Sequence, residues 1–137
     1  MRTMNRNKIG LAGELRVMSE LLLRGHNPAK SYLEDGADLI LENNLRVEVK
    51  SAHRVKTGGA RFYYFTLRSS SGHKKQQELA DCNFIVFWCI DDDVFYIIPR
   101  AYIEKNVCFT DVSANAKHKY ACYLNKWELL GVSNGSK

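Results

Sequence analysis

Asp38, Glu48 and Lys50 stand apart because of where they fall in two short alternating segments. Ala37–Glu42 alternates Leu39 and Leu41 with Asp38 and Ile40, and Leu45–Ala52 alternates Leu45, Val47 and Val49 with Arg46, Glu48 and Lys50. Such alternation marks half-buried strands, and Asn43-Asn44 between them marks a hairpin. The register decides whether the acids meet. A two-residue loop sets Asp38 opposite Val49 and puts Leu39 and Leu41 on the face of Glu48 and Arg46. A three-residue loop, Glu42-Asn43-Asn44, sets Leu41 opposite Leu45, Leu39 opposite Val47 and Asp38 opposite Glu48. Every leucine and valine then faces one side. A slip of one residue reverses all faces, so burial selects the second register, with Asn44 in the left-handed conformation such a loop wants.

In that register Asp38, Glu48 and Lys50 share one face. Two carboxylates directly opposite each other repel in a plain sheet. A divalent cation relieves the repulsion, and magnesium is often held by one or two carboxylates together with water and substrate phosphate oxygens. Lys50, on the same face, reaches the same spot, where it could hold an attacking water or stabilise charge on a pentavalent phosphorus. Glu14 is a second, independent oddity, an acid inside the apolar stripe of a predicted helix. Buried without a partner it costs several kcal/mol, roughly, so it wants a cation nearby. Beside Asp38 and Glu48 it could orient metal-bound water or Lys50. The competing reading, in which each is an ordinary solvated charge, weakens when three separate patterns point at one location.

The elements that must position these residues follow from periodicity and punctuation. Leu11, Leu15, Met18 and Leu22 predict a helix over roughly Asn7 to Arg24, stopped by Gly25 and kept from resuming by Pro28. After the hairpin, Lys56–Ala60 with Gly58-Gly59 reads as a flexible loop, and aromatic Arg61–Leu67 as a third strand. His73–Ala80 is a short polar helix candidate. Asn83–Ile90, apolar on both faces, reads as a central buried strand. Asp91-Asp92-Asp93 is a turn, and Val94–Ile98 pairs back and ends at Pro99. A short helix over Arg100–Lys105, a strand over Tyr120–Leu124 and a helical turn over Asn125–Leu130 complete the expectation. A strand, a crossover helix and a further strand imply a parallel neighbour. The fold class is α/β, one mixed sheet with helices on both sides.

Gly13-Glu14-Leu15, then Gly36-Ala37-Asp38-Leu39-Ile40, then Val47-Glu48-Val49-Lys50-Ser51 resemble the motifs of the PD-(D/E)XK nuclease superfamily. The resemblance covers roughly residues 7–98 and extends to the restriction-endonuclease-like αβββαβ core order. Val94-Phe95-Tyr96-Ile97-Ile98-Pro99 is similar, more loosely, to small homing-endonuclease-like members. The motif's proline is replaced by Ala37. The resemblance implies one nuclease-like domain over 1–137, with a core at about 7–98, an extension at about 99–132 and a frayed tail at 133–137. It implies that Asp38 and Glu48 are ligands of Mg²⁺ (with Mn²⁺ as a substitute), that the Val49 carbonyl is a further ligand, that Lys50 is the catalytic lysine and that Glu14 is the first-helix acid. The activity implied is hydrolysis of DNA phosphodiester bonds leaving a 5′-phosphate. A homing or restriction-like double-strand cutter is expected, with a junction resolvase or a non-cleaving DNA-binding domain as alternatives. One such site handles one strand, so a homodimer or homotetramer on double-stranded DNA is the expected assembly.

Phosphate contacts come from basic and polar side chains. Candidates are Arg54, Lys56 and Arg61 around the glycine pair, Arg68, His73, Lys74, Lys75 and Gln76 (or Gln77) before and within the second helix, and Lys117 and Lys119 beside Tyr120. For each, a solvated polar surface is the plain alternative. Tyr63 and Tyr102 are candidate interface aromatics. The 137 residues carry 20 Lys+Arg against 15 Asp+Glu, a net +5, which favours a polyanionic partner, nucleic acid before membrane. No apolar run is long enough for a membrane span and the polar N-terminus lacks a signal-peptide core, so a cytoplasmic protein is expected. Four scattered cysteines with no CxxC pair read as buried reduced thiols rather than zinc ligands.

Overall fold

A computed structural model describes residues 6–31, 37–67, 82–103 and 105–131. Helix α1 spans Arg6–Leu23. It ends as a Schellman motif, with Gly25 at φ 94°, Gly25 N–H on the Leu22 carbonyl and His26 N–H on the Leu21 carbonyl. Strands β1 (Ala29–Lys30), β2 (Leu39–Ile40), β3 (Arg46–Ala52), β6 (Phe84–Cys89) and β7 (Val94–Pro99) form the central sheet, in the order β1-β2-β3-β6-β7. β3 and β6 run parallel and the other neighbours antiparallel, so the sheet is mixed. Strands β4 (Val55–Thr57), β5 (Ala60–Phe65) and β8 (Val107–Phe109) form a second sheet in the order β4-β5-β8.

The layers follow from which side chains meet. Val17 and Leu21 of α1 pack with Leu39, Val47, Val49, Val86 and Ile97 on one face of the central sheet. On the other face Ile85, Phe87, Tyr96 and Ile98 pack with Tyr63, Phe65, Val107 and Phe109 of the second sheet. β6 therefore sends alternate side chains into two cores, which is why its sequence is apolar throughout.

Several sequence expectations are corrected by this architecture. The helix turns a different side to the sheet: Val17 and Leu21 are fully buried, whereas Leu11, Leu15 and Leu22 are about half exposed. The cause is a close approach at Gly13, where an added Cβ would sit 1.8 Å from Ser51 Oγ. The glycine lets the helix lie against β3 on that side, and Val17 and Leu21, four and eight residues on, follow it inward. The third strand, β5, is not in the central sheet but builds the second one. The loop expected at Lys56–Ala60 is instead the tight end of the β4–β5 hairpin, with Gly58 and Gly59 at φ 55° and 85°. Tyr63 faces the core and is fully buried, so the exposed aromatic is its neighbour Tyr64. Arg100–Tyr102 and Ala121–Tyr123 are 3₁₀ turns, the second followed by a single Tyr96–Leu124 bridge to the sheet in place of a strand, and β8 lies where no strand was expected. Trp127–Leu130 is the expected helical turn. Cys82 and Cys89 are buried, but Cys108 and Cys122 are exposed. The helix expected over His73–Ala80 lies outside the described residues.

Candidate active site

The β2–β3 register is the one burial selects: Leu39 pairs with Val47 and Ile40 with Arg46, and Asn44 has φ 70°. Carried one residue further, the ladder sets Asp38 across from Glu48. β2 is short and β3 runs on past its start. The ladder position beside Val49 is taken by a side chain, with Asp38 Oδ2 accepting a 2.8 Å hydrogen bond from Val49 N–H. The N–H and C=O of one strand residue project toward the same neighbour. The Val49 carbonyl therefore points to the edge at which Asp38 is docked.

Asp38 meets two other charges there. Its carboxyl hydrogen-bonds that of Glu14, reaching over from α1, and it feels the Lys50 ammonium more weakly. Burial above all, then the Glu14 charge, raises the Asp38 pKa from 3.8 to about 6, against the pull of the Val49 amide. Lys50 Nζ lies 3.8 Å from Glu48 Oε2, and both side chains are partly buried. The cation beside Glu14 is Lys30 of β1, through an ion pair with Glu14 Oε1. Lys30 was missed from the sequence, because only the pairing of a two-residue strand with β2 brings it to Glu14.

The site opens into a cleft of about 420 Å³ lined by Ile9 and Gly10 of α1, Val49, Lys50 and Ser51 of β3, and Tyr64, Phe65 and Thr66 at the end of β5. Tyr64 is held there by Asn106, whose Nδ2 donates to the Tyr64 hydroxyl at 2.8 Å while its Oδ1 accepts from Leu67 N–H. Sequence reasoning missed both. Alternation in β5 would have found Tyr64 once the buried face was known; Asn106 leaves no such signal. The Ser51 hydroxyl, pressed against Gly13, is buried with no hydrogen-bond partner among the described residues. Among the described residues no three His, Cys, Asp or Glu side chains converge as a ready-made metal cage. The donors on offer are the Asp38 and Glu48 carboxylates and the Val49 carbonyl, an oxygen-only set of the kind hard cations take.

The frame is pinned from two sides. Glu42, at the hairpin loop, accepts from Asn27 N–H at 2.8 Å and sits 2.8 Å from Nδ1 of buried His26, tying the end of α1 to the β2–β3 turn. The Asn27 amide above all holds the Glu42 pKa down. In the β6–β7 turn, Asp91 accepts from Arg54 N–H and pairs with His53, Asp92 takes the Arg54 guanidinium and the Tyr63 hydroxyl, and Asp93 takes Arg16 and the Trp88 indole N–H. These donors lower all three carboxyl pKa values. The turn is a clasp joining α1, β3, β5 and β6.

The remaining candidates divide clearly. Arg54 is engaged in that clasp and stacks over Tyr63 at 4.7 Å. Lys56 and Arg61 are exposed and face each other directly across the β4–β5 ribbon. Lys117 and Lys119 are exposed on a loop pinned by His118 against the Asp111 carbonyl, Tyr96 and Phe109, not on the elements carrying Asp38, Glu48 and Lys50. Arg68, His73, Lys74, Lys75 and Gln76 lie outside the described residues.

No model of a known protein family matches this chain, and no curated protein matches it. Among solved structures, that of a bacterial homing endonuclease, I-Ssp6803I, superposes with a TM-score of 0.71 at 18% sequence identity, over 93% of this chain and 92% of that one. The two share a mixed α/β fold over nearly their whole lengths. No described helix is long and apolar enough to cross a membrane.

Proposed function

We propose that this protein is a metal-dependent DNA endonuclease of the PD-(D/E)XK type, with its active centre at Asp38, Glu48 and Lys50. The observation that carries the reading is the Asp38 carboxylate, bonded to the Val49 amide at an open sheet edge, with Glu14 beside it and Glu48 and Lys50 on the neighbouring strand. Such crowding of acids is costly without a cation. The fold likeness to a homing endonuclease supports the same reading.

Asp38, Glu48 and the Val49 carbonyl would hold Mg²⁺, which Mn²⁺ could replace. A divalent cation there supplies charge to a phosphate oxygen and lowers the pKa of a water molecule. Lys50, within reach of Glu48, positions that water and offsets negative charge as it builds on phosphorus. Glu14, with its own charge answered by Lys30, keeps Asp38 in place.

The exposed β4–β5 hairpin supports a sequence-reading enzyme of the homing or restriction kind. A two-stranded ribbon fits the DNA major groove. Directly opposed like charges weaken a ribbon unless a polyanion lies against them, and Lys56 and Arg61 make no ion pair among the described residues. Two copies on one duplex would cut both strands.

The test is cleavage of supercoiled plasmid carrying an extruded cruciform, with Mg²⁺ or Mn²⁺, by wild type and Lys50→Ala. Cutting by wild type, with a loss of at least about a hundredfold in the variant and DNA binding retained, is expected. Cuts paired across the cruciform would point to a junction resolvase instead. Equal loss of cutting and binding in the variant would make the site a binding surface and overturn the catalytic reading.

A further inference from the structure

We propose that the cleft beside Lys50 takes one unpaired nucleotide of the DNA, with its base stacked on the ring of Tyr64. This rests on the nuclease reading and deepens it: the substrate is DNA opened at the step that is cut, and Tyr64 grips the opened base.

Tyr64 is 45% exposed on the outer face of the second sheet, while its neighbours Tyr63 and Phe65 turn into the core. Its hydroxyl is tethered. Asn106 Nδ2 donates to it at 2.8 Å, and Asn106 is itself fixed by accepting from Leu67 N–H at 2.9 Å. The tether engages the polar tip and leaves the flat face for a ligand. Opposite Tyr64 in the β5–β8 pair stands Cys108, too small to cover a ring. Tyr63 carries the Arg54 guanidinium over its face, whereas among the described residues no ring or cation lies over Tyr64. A ring held in place before a ligand arrives loses little freedom on binding it.

The occupant follows from the cleft that Tyr64 lines. Its volume of about 420 Å³ falls toward the lower end of the roughly 300–1,000 Å³ of sites that take one small molecule. That is room for one nucleotide and not for a paired helix. Lys50 lines the same cleft, so a cation for a phosphate and a flat face for a base are offered to one occupant. Every nucleobase has a face that stacks on an aromatic ring, so the contact itself tolerates any sequence. Selectivity enters through the energy of opening the step, which is least at flexible pyrimidine–purine steps and at mismatches.

The test is anisotropy titration of the full chain with a labelled single-stranded oligothymidylate and with a fully paired duplex of the same length, in chelating buffer at one salt concentration. Tyr64→Ala should weaken single-strand binding roughly five- to hundredfold, the range that loss of one stacked base gives. Tyr64→Leu, which keeps apolar bulk without the ring, should lose nearly as much. Tyr64→Phe should stay within about twofold of wild type, because stacking needs the ring and not the hydroxyl. Duplex binding should change less than about twofold in all three, since the paired helix does not enter the cleft. Far-ultraviolet circular dichroism confirms the fold of each variant. A wild type that does not bind the single strand, a Tyr64→Ala or Tyr64→Leu variant that binds it as wild type does, a Tyr64→Phe variant as weak as Tyr64→Ala, or equal losses on both probes would overturn the proposal. No cleavage is read: failure here leaves the plasmid test of the nuclease reading standing, and failure there leaves a ring-dependent single-strand contact standing.

Discussion

Asp38→Asn should make the metal-free protein more stable while abolishing its cleavage. Burial and the neighbouring Glu14 raise the Asp38 carboxyl from 3.8 to about 6. A folded-state pKa above the unfolded one means that ionising the group disfavours the fold. The stability present below pH 3.8 is lost as pH rises through about 6, and the full cost stands at pH 8. At about 1.36 kcal/mol per pH unit, the displacement corresponds to at most about 3 kcal/mol. Asp38 is only partly buried, and solvent screening reduces the figure to about 1–2 kcal/mol. Asparagine keeps an oxygen for the Val49 amide and adds an amino group that can donate to Glu14, so the hydrogen bonds survive while the charge goes. Urea unfolding in a chelating buffer is the assay. The variant should gain about 1–2 kcal/mol over wild type at pH 8 and almost nothing below pH 4, where both side chains are neutral. Magnesium should then stabilise wild type and leave the variant unchanged, because a ligand stabilises only the form that binds it. A variant no more stable than wild type at pH 8 would refute the claim that the site holds an electrostatically costly carboxylate. An equal gain at both pH values would assign the effect to packing.

Two further outcomes follow from contacts around the site. Gly13→Ala should cost about 1–3 kcal/mol in chemical denaturation, since its Cβ would strike Ser51 Oγ; Ser51→Ala added to it should recover much of the loss by removing that oxygen, and no recovery would mean the helix and strand are not in contact there. Lys56→Ala and Arg61→Ala should each lower the slope of log K against log salt for duplex binding by about 0.9 with little loss of fold stability, and an unchanged slope in anisotropy titrations would remove the β4–β5 ribbon from the DNA interface.

The legible parts of this molecule were those in which burial and local geometry agree. The Asp38–Glu48 register could be read because a single slip would have turned Leu39, Leu41, Val47 and Val49 to solvent. The Gly25 stop was legible because a residue at φ 94° suits glycine. The face of α1 was misread because the leucine stripe is the more apolar one. Only the contact of Gly13 with Ser51, 38 positions along the chain by numbering, selects the other side. The place of β5 was misread for a similar reason, since its partner β8 lies beyond both central strands β6 and β7. Lys30 and Asn106 were invisible because their roles depend on long-range pairings that leave no periodic trace.

The site arises from a mismatch of strand lengths. Had β2 been as long as β3, its next amide and carbonyl would have paired with Val49 and closed the edge. Because β2 stops, Asp38 completes the ladder at the Val49 N–H with a side chain. A carboxylate so placed is pushed toward the neutral form, so something else must keep the strands together. The Glu42 cap on His26 and Asn27 holds one end of the hairpin to α1, and the three aspartates of the β6–β7 turn hold the other side. These carboxylates have lowered pKa values while that of Asp38 is raised. The charges that stabilise the frame thus contrast with the one that does not, and that contrast is what the proposed cation site, unlike a surface of satisfied ion pairs, would produce.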